Sequence, residues 1–210
     1  DMGFIPDVER IAKLTPFTRQ TLFYSATMPP EIQRLTDQFL QAPVRIEVSR
    51  PATAASTIVQ MAIGVPCGDW SKRETLRRLI NENEVKNAIV FCNRKRDVDV
   101  VAKSLIKHGF SAAALHGDLD QSVRTRTLDA FRNGELRLLI ASDVAARGLD
   151  IPAVSHVFNF DVPFPPAVYV HRIGRTGRAG RPRHAFTSVG APGGTRPPTA
   201  PAVARARAAP

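Results

Sequence analysis

Apolar residues along this chain form two kinds of pattern, and each predicts a type of secondary structure. Short continuous apolar runs predict buried strands, and apolar residues that recur every three or four positions predict helices packed by one face. Strands are predicted at 58–65, 88–92, 112–115, 136–141, 154–160 and 183–186. Helices are predicted between them at 72–81, 97–107 and 122–132. Because strands alternate with helices of this length, we expect an α/β fold built on a parallel sheet.

The first 57 residues carry a separate and weaker pattern. A helix is predicted from Phe4 to Leu14, before Pro16, and a second helix begins at Glu31. Two short strands are predicted at 21–24 and 44–48. The stretch that follows, 49–57, is mostly small and polar and contains one proline, which predicts a linker between two domains.

The balance of charge narrows the possible partners. The chain has 210 residues, with 29 basic and 19 acidic side chains and a formal net charge of +10. Such a charge attracts polyanions, so nucleic acid is the leading candidate partner. No apolar run approaches a membrane span and the first residues lack a signal-peptide pattern, which favours a cytoplasmic protein without a membrane partner. Cys67 and Cys92 lie far apart without histidines at ligand spacing, so neither a disulfide framework nor a metal site is predicted.

The segment from Tyr169 to Gly180 carries arginines at a regular spacing. Arg172, Arg175 and Arg178 stand at every third position with glycines between them. A glycine inside a helix costs about 1 kcal/mol relative to alanine, so we predict a helix that runs out into a loop. Guanidinium groups beside flexible backbone can bind phosphate oxygens through two parallel hydrogen bonds. A solvated basic turn is the alternative interpretation of this spacing taken alone.

Polar turns follow three of the predicted strands. They are Asn93 to Lys95, His116 to Asp118, and Ser142 with Asp143. Because the carboxyl ends of parallel strands meet at one edge of a sheet, we expect these turns to lie close together. Backbone N–H groups, hydroxyls and arginines at such an edge suit the phosphates and riboses of a nucleic acid strand. No cluster of aromatic residues accompanies the turns, which argues against a base-stacking platform. Each turn alone is also typical of an ordinary connecting loop.

Taken together and in order, several of these stretches resemble the later motifs of the DEAD-box RNA helicases. The matching stretches are LFYSATMP at 22–29, HGDLDQSVR at 116–124, SDVAARGLDIP at 142–152 and HRIGRTGR at 171–178. The last of them is similar to motif VI of that family without a mismatch. The resemblance covers about Asp1 to Val189. The sequences around 17–28 and 86–96 are most similar to those of the bacterial RhlE type.

This resemblance implies a fold and a domain organisation. The expected fold is α/β, a RecA-like parallel sheet with flanking helices, preceded by the end of a first RecA-like domain. The expected boundaries are 1–48 for the remnant of the first domain, 49–57 for the linker, 58–189 for the second, helicase C-terminal domain, and 190–210 for a basic tail. The tail is rich in alanine, proline, glycine and arginine, so it is predicted to be disordered.

The resemblance also implies roles for individual residues. Arg175 and Arg178 are expected to act catalytically at the terminal phosphate of ATP, and Asp150 to face the nucleotide. RNA contacts are expected from Arg94, Gly117, Arg124 and Ser142. Coupling between two domains is expected from Ser25, Thr27, His171 and Arg172. From the residues alone, Ser25 and Thr27 could equally cap a turn, and Asp150 could pair with Arg147.

The implied activity is ATP-dependent RNA unwinding or remodelling, but part of the chemistry is not identifiable in these residues. The chain has neither a GxxxxGK[ST] phosphate-binding loop nor a DEAD tetrapeptide. ATP is the expected cofactor, with Mg²⁺ supplied through the missing first domain, and we expect no appreciable ATP hydrolysis by the chain alone. The DMGF start resembles residues that follow DEAD, so the chain is expected to begin within a domain. RNA-processing or ribosome-assembly proteins are the expected protein partners.

Two other functions remain possible at this stage. One is a non-catalytic RNA-binding or regulatory module, which would explain the missing phosphate-binding loop. Against it, DMGF and SAT belong to a domain whose nucleotide site is absent, and a free-standing module has no need of them. A DNA-directed helicase of the same superfamily is less favoured, because HRIGRTGR matches motif VI as it occurs in the DEAD-box family.

Overall fold

The computed structural model describes residues 5–25, 28, 30–47, 58–65, 68–146, 151, 154–164, 166–176, 183–190 and 203–206. The chain divides into two units, Asp1–Thr53 and Ala54–Pro210. The predicted linker at 49–57 lies outside the described residues, so its boundaries stay a prediction.

The first unit contains two helices and little buried surface. Helix α1 spans Ile5–Leu14 and helix α2 spans Pro30–Phe39, close to the two predicted helices. Proline suits the first position of a helix because its missing N–H is not needed there. Among the residues described in this unit only Thr36 is buried. The large apolar side chains that are exposed include Val8, Ile11, Leu14, Phe17, Leu22, Tyr24, Val44 and Ile46.

The two strands predicted in this unit are wrong for the residues that the structure describes. Residues 21–25 and 43–47 have no regular secondary structure. A strand is held by hydrogen bonds to a neighbouring strand, and the described part of this unit offers no such partner. Apolar composition by itself was therefore an insufficient signal.

The second unit is built on one sheet, in which the structure describes seven strands. They are β1 (Ile58–Val65), β2 (Ala88–Cys92), β3 (Ala112–Leu115), β4 (Leu138–Ser142), β5 (His156–Asn159), β6 (Arg183–Gly190) and β7 (Val203–Ala206). Their order is β3-β4-β2-β5-β6-β1-β7, and the first six are parallel to one another. The predicted parallel sheet is confirmed, and the bounds of β1, β2 and β3 match the prediction residue for residue.

Helices cover both faces of this sheet. On one face lie α3 (Asp69–Glu82) and α4 (Lys95–Lys107); on the other lie α5 (Gln121–Arg132), α6 (Asp143–Ala146) and α7 (Pro166–Ile173). In β2, Val90 points into the first core, whereas Ile89 and Phe91 point into the second. Strands buried on both faces need continuous apolar runs, which is why the runs were such a clear signal.

Two glycines that follow helices of the second unit have a left-handed backbone conformation. Gly109 follows α4 with a φ of 83°, and Gly134 follows α5 with a φ of 79°. Residues with a side chain rarely adopt this left-handed backbone, so glycine is the usual residue just after a helix. None of the described helices is both long and apolar enough to cross a membrane.

The predicted disorder of the tail is wrong for Val203–Ala206, which form β7. This strand runs antiparallel to β1, with Met61 opposite Arg205 and Ile63 opposite Val203. Without it, β1 would leave a row of unpaired backbone groups at the edge of the sheet. The prediction rested on proline and glycine across the whole tail, but these four residues contain neither, so they can pair with an open edge.

Candidate functional site

The three polar turns predicted to cluster do lie side by side at the carboxyl edge of the sheet. Strand β4 lies between β3 and β2, with Ala141 opposite Leu115 and Ser142 opposite Cys92. Neighbouring strands are about 4.8 Å apart, so the turns after them form a continuous surface. The predicted clustering is therefore confirmed by the pairing of the strands.

His116 fixes the turn after β3. Its ring is 5% exposed, and Nε2 lies 3.2 Å from a carboxylate oxygen of Asp99 on α4. The backbone N–H of Asp118 donates to Nδ1 at 3.3 Å. Since Nδ1 accepts, the ring proton is on Nε2 and points at Asp99. His116 is thus a structural anchor for Gly117, whose backbone is exposed and has open space where a side chain would stand.

A second contact ties the same turn to α4. Lys95 Nζ lies 2.6 Å from the Asp118 carboxylate. The hydrogen bond from Lys95 lowers the pKa of Asp118, because it favours the charged form of the carboxyl group. The turns after β2 and β3 are therefore joined to each other on the surface.

Arg124 lies in the first turn of α5, directly after this anchored turn. Its Nη1 donates to Gln121 Oε1 at 3.1 Å. Its Nε is buried and has no hydrogen-bond partner among the described residues. The Arg124 guanidinium is thus held at the start of α5 by a neutral partner, which leaves its positive charge uncompensated by that contact.

Arg94 and Ser142 stand at the ends of neighbouring strands. Arg94 is exposed at the start of α4 with an extended backbone, and the N–H groups of Asp97 and Val98 donate to its carbonyl oxygen. Ser142 is the last residue of β4 and is 7% exposed. The structure therefore brings all four residues that were predicted to contact RNA onto one edge: Arg94, Gly117, Arg124 and Ser142.

Arg172 is buried inside the second unit. It is 2% exposed, in the last turn of α7, and its Nε and Nη2 donate to the two carboxylate oxygens of Asp143 at 2.7 and 2.6 Å. Nη2 also donates to Asn93 Oδ1 at 2.7 Å, and Nη1 to the backbone carbonyl of Asp161 at 3.0 Å. The guanidinium lies over the Phe91 ring, 5.2 Å from its centre.

These contacts of Arg172 are all within the second unit. A guanidinium held by a carboxylate, an amide and a carbonyl has little surface left for direct contact with another domain. A role of Arg172 in coupling two domains stays a prediction, and it would have to act through the residues that Arg172 holds.

The polar network extends from Arg172 across the sheet. Asn159 accepts from Arg172 at 3.4 Å and donates to the Thr187 hydroxyl at 3.0 Å. Tyr169, on the same helix as Arg172, donates to Gln60 of β1 at 2.8 Å, and its partial burial raises the pKa of its hydroxyl. Helix α7 is thus joined by side chains to the residues that directly follow β4 and β2, and to β5 and β1.

Sequence reasoning missed Asn159 and Thr187, because nothing in the spacing of residues along the chain brings them together. Asn159 stands inside a strand that was predicted from its apolar neighbours, and Thr187 stands one residue beyond the predicted end of another strand, so a buried polar pair had no local signal. It could have been suspected only from a polar residue within an apolar run, and such residues are common.

The loop after α7 begins as the sequence predicted. The helix ends at Ile173, and a Cβ on Gly174 would lie 3.0 Å from the Val170 carbonyl oxygen, so a larger residue here would require a small shift of the backbone. The Thr176 hydroxyl donates to the Val154 carbonyl at 2.7 Å, and the Val154 N–H donates to the Arg175 carbonyl at 3.1 Å. These bonds hold the loop against Val154, two residues before β5.

Arg175 is half-buried in this anchored loop. Its Nη2 donates to the carbonyl of Ala146, at the end of α6, at 3.3 Å. Arg175 thus lies next to the point where the 147–150 segment begins. Of the other predicted site residues, Asp150, Arg178 and Thr27 lie outside the described residues, whereas Ser25 in the first unit and His171 on α7 are exposed. Within the described ranges, no group of three or more His, Cys, Asp or Glu side chains could hold a metal ion.

Similarity to known proteins agrees with the geometry. Residues 71–180 match the helicase conserved C-terminal domain family. The chain is 46% identical over 189 residues to the ATP-dependent RNA helicase CshA of Limosilactobacillus reuteri, and 45% identical over 189 residues to the DEAD-box ATP-dependent RNA helicase CshA of Bacillus subtilis. Each alignment covers 90% of this chain and 38% of the relative. The chain therefore spans well under half the length of these relatives.

A solved structure extends the comparison to the fold. S. cerevisiae Dbp5 bound to RNA and ADP BeF3 superposes with a TM-score of 0.81 at 30% sequence identity, covering 91% of this chain and 50% of that chain. Both bacterial relatives carry the CshA name, so the assignment to the RhlE branch stays a prediction.

Proposed function

The chain belongs to the DEAD-box RNA helicases and contains their conserved C-terminal domain, and we propose that it is the part of an ATP-dependent RNA helicase that binds the RNA backbone and completes the ATP site. The observation that carries the proposal is the shared edge: the turns after β3, β4 and β2 lie side by side. A helicase needs a domain that binds the RNA backbone and responds to the nucleotide. The hydrogen-bond donors at this edge are suited to binding that backbone.

We assign the RNA contacts to Gly117, Arg124, Ser142 and Arg94. They supply a backbone N–H, two guanidinium groups and a hydroxyl, which are donors suited to phosphate and ribose oxygens. Such contacts carry no base sequence, so binding should be largely independent of sequence. It should weaken steeply with added salt, because RNA releases bound counterions when arginines replace them.

We assign the contacts to ATP to Arg175, Arg178 and Asp150. Arg175 fits this role because its loop is pinned at Thr176 and Val154, so its guanidinium is positioned before a nucleotide arrives. ATP would supply the phosphoryl group whose transfer releases the free energy for unwinding. The chain's contribution is positive charge at the terminal phosphate, while Mg²⁺ and the phosphate-binding loop would belong to a first domain.

Coupling between the domains is assigned to Ser25, Thr27 and His171, with Arg172 acting through the residues that it holds, among them Asp143 and Asn93. Ser25 and His171 are both exposed on their own units, which suits residues that contact another domain. We place this function in the cytoplasm. RNA-processing or ribosome-assembly proteins are the partners we would seek first.

The test is ATP hydrolysis stimulated by RNA, measured with the chain alone and with the chain mixed with a separately expressed phosphate-binding domain of a related helicase. Activity is expected only in the mixture. Arg175→Ala and Arg178→Ala should each abolish most of it, since loss of an arginine at the terminal phosphate lowers such rates by roughly 10³ to 10⁵. Arg126→Ala, an exposed arginine on α5, is the matched control and should retain activity.

Other outcomes would redirect the assignment. Activity from the chain alone would mean that it contains its own nucleotide site, against the absence of a phosphate-binding loop. No activity in the mixture, with RNA binding sensitive to salt, would favour the second candidate, a non-catalytic RNA-binding or regulatory module. The missing GxxxxGK[ST] pattern is the observation that keeps this candidate open.

A further inference from the structure

Phe164 stands out on the surface of the second unit. Its side chain is 87% exposed, in the short segment that follows β5, and Val162 beside it is 53% exposed. A fully exposed phenylalanine gives up roughly 2 kcal/mol that burial would contribute. Single exposed apolar residues are common, so exposure by itself assigns no role.

The segment that carries Phe164 is firmly held. The Asp161 carboxylate accepts from Lys72 Nζ at 2.8 Å and from the Asn93 backbone N–H at 3.2 Å. The Val162 carbonyl accepts from Asn93 Nδ2 at 3.0 Å, and Pro163 is buried. These three bonds and a buried proline fix the backbone up to Phe164, so the ring is presented outward from a rigid support.

The support lies on the proposed RNA edge. Strand β5 is the neighbour of β2, with Asn159 opposite Phe91, so the segment after β5 lies beside the turn that contains Arg94. The next two residues along α4 are also basic and exposed, with 58% of the Lys95 side chain and 74% of the Arg96 side chain accessible. The segment that carries Phe164 therefore continues the row of turns after β3, β4 and β2. Of the neighbouring basic residues, Arg94 is exposed, whereas Lys95 pairs with Asp118 and Arg96 lies 3.5 Å from Asp97.

We propose that Phe164 stacks on an unpaired base of single-stranded RNA whose backbone is held by Arg94. A flat aromatic ring beside cations is the combination by which proteins bind single strands, since every base offers a face and every nucleotide a phosphate. A protein partner could also cover an exposed ring. The exposed Arg94 in the neighbouring turn favours a polyanion as the occupant. The inference rests on the proposed function and adds to it a base contact, which the backbone-only contacts above do not include.

The test uses the whole chain and a fluorescein-labelled 12-nucleotide oligouridine, with binding followed by anisotropy at low salt. Phe164→Ala should weaken binding about five- to 100-fold, the range that corresponds to the loss of one stacked base. Phe164→Trp should retain binding, whereas Phe164→Leu, which is apolar but not aromatic, should lose most of it. On an oligonucleotide of the same length with abasic sites, the unaltered chain and Phe164→Ala should bind equally.

The control is Phe17→Ala, which removes another exposed phenylalanine, 79% accessible in the first unit, and should leave RNA binding unchanged. Since the Phe164 ring packs little against its own chain, the circular dichroism and melting temperature of the Phe164 variants should match those of the unaltered protein.

Unchanged oligouridine binding by Phe164→Ala would overturn the inference and leave the proposed function standing. An equal loss on the abasic oligonucleotide would overturn it too, because the ring would then not act on a base. Failure of the unaltered chain to bind RNA would overturn the proposed function and this inference together.

Discussion

Arg172 and Asp143 form a two-pronged ion pair, with nitrogen to oxygen distances of 2.7 and 2.6 Å, inside the second unit. The pair joins the last turn of α7 to the residue directly after β4. Two parallel N–H···O hydrogen bonds join the planar guanidinium to the planar carboxylate, and this bidentate geometry is the one in which arginine and carboxylate interact most strongly. Because Arg175 follows Arg172 by three residues, the same pair also sets where the loop bearing Arg175 begins.

Asp143→Asn is expected to destabilise the second unit by roughly 3 kcal/mol, because it leaves the buried Arg172 guanidinium without a charged partner. Urea unfolding followed by circular dichroism would measure this loss. Glu82→Gln is the matched control: Glu82 pairs with Arg78 at the surface, with 58% of the Glu82 side chain exposed, and should change stability by less than about 1 kcal/mol. Equal losses in both variants would contradict a special role for the buried pair.

Thr187→Val is expected to cost about 1–3 kcal/mol, although valine and threonine have almost the same shape. The substitution removes the hydroxyl that accepts from Asn159, which is 1% exposed and has no water to replace it. The free energy of unfolding would be compared with that of Thr187→Ser, which keeps the hydroxyl and should lose less. If valine proved as stable as threonine, the hydrogen bond would not be supporting the network beneath α7.

Cys92 is expected to resist thiol reagents until the protein unfolds. Burial raises the pKa of its thiol, and the carboxylates of Asp161 and Asp97 raise it further, so the reactive thiolate is scarce. In a Cys67→Ser variant, labelling with a chromogenic disulfide at pH 8 should require urea. Rapid labelling of the native protein would contradict the burial of this side chain.

The same thiol gives stability a dependence on pH with a definite sign. An unfolded cysteine ionises at a pKa of about 8.5, whereas the folded Cys92 stays protonated, so the folded state binds more protons above that pH. The contribution of Cys92 to the unfolding free energy is therefore greatest below pH 8 and falls as the pH rises further. A Cys92→Ala variant should show a flatter dependence between pH 8 and 10.

Arg94→Ala and Arg124→Ala are each expected to lower RNA affinity equally for oligouridine and oligoadenine. Each should also reduce the slope of log affinity against log salt by about 0.7 to 1, the value for one phosphate contact. Lys107→Ala, at the opposite end of α4 from Arg94, controls for the loss of one positive charge. A change of slope as large for Lys107→Ala would mean that RNA is attracted by overall charge and not held at this edge.

Much of the second unit could be predicted because its signals are local. Strands β2 and β3 are apolar runs bounded by turn residues, so their bounds matched to the residue. Gly109 and Gly134 are local signals of the same kind, since a glycine in the left-handed backbone conformation follows many helices. The first unit shows the limit of such signals: 21–24 is as apolar as many strands, yet no neighbouring strand among the described residues pairs with it.

Sequence alone determined the alternation of strands and helices, the positive charge and the position of the arginine-bearing loop after α7, because each depends on residues close together in the chain. Only the tertiary structure decided that Arg172 is buried against Asp143, that Asn159 meets Thr187, that Phe164 faces outward beside Arg94, and that part of the tail pairs with β1. These contacts join residues up to more than a hundred positions apart, and they depend on the order of strands in the sheet. Backbone hydrogen bonds are the same for any pair of strands, so that order depends on how side chains from distant segments pack together. The spacing of apolar residues along a chain does not encode which strands will become neighbours.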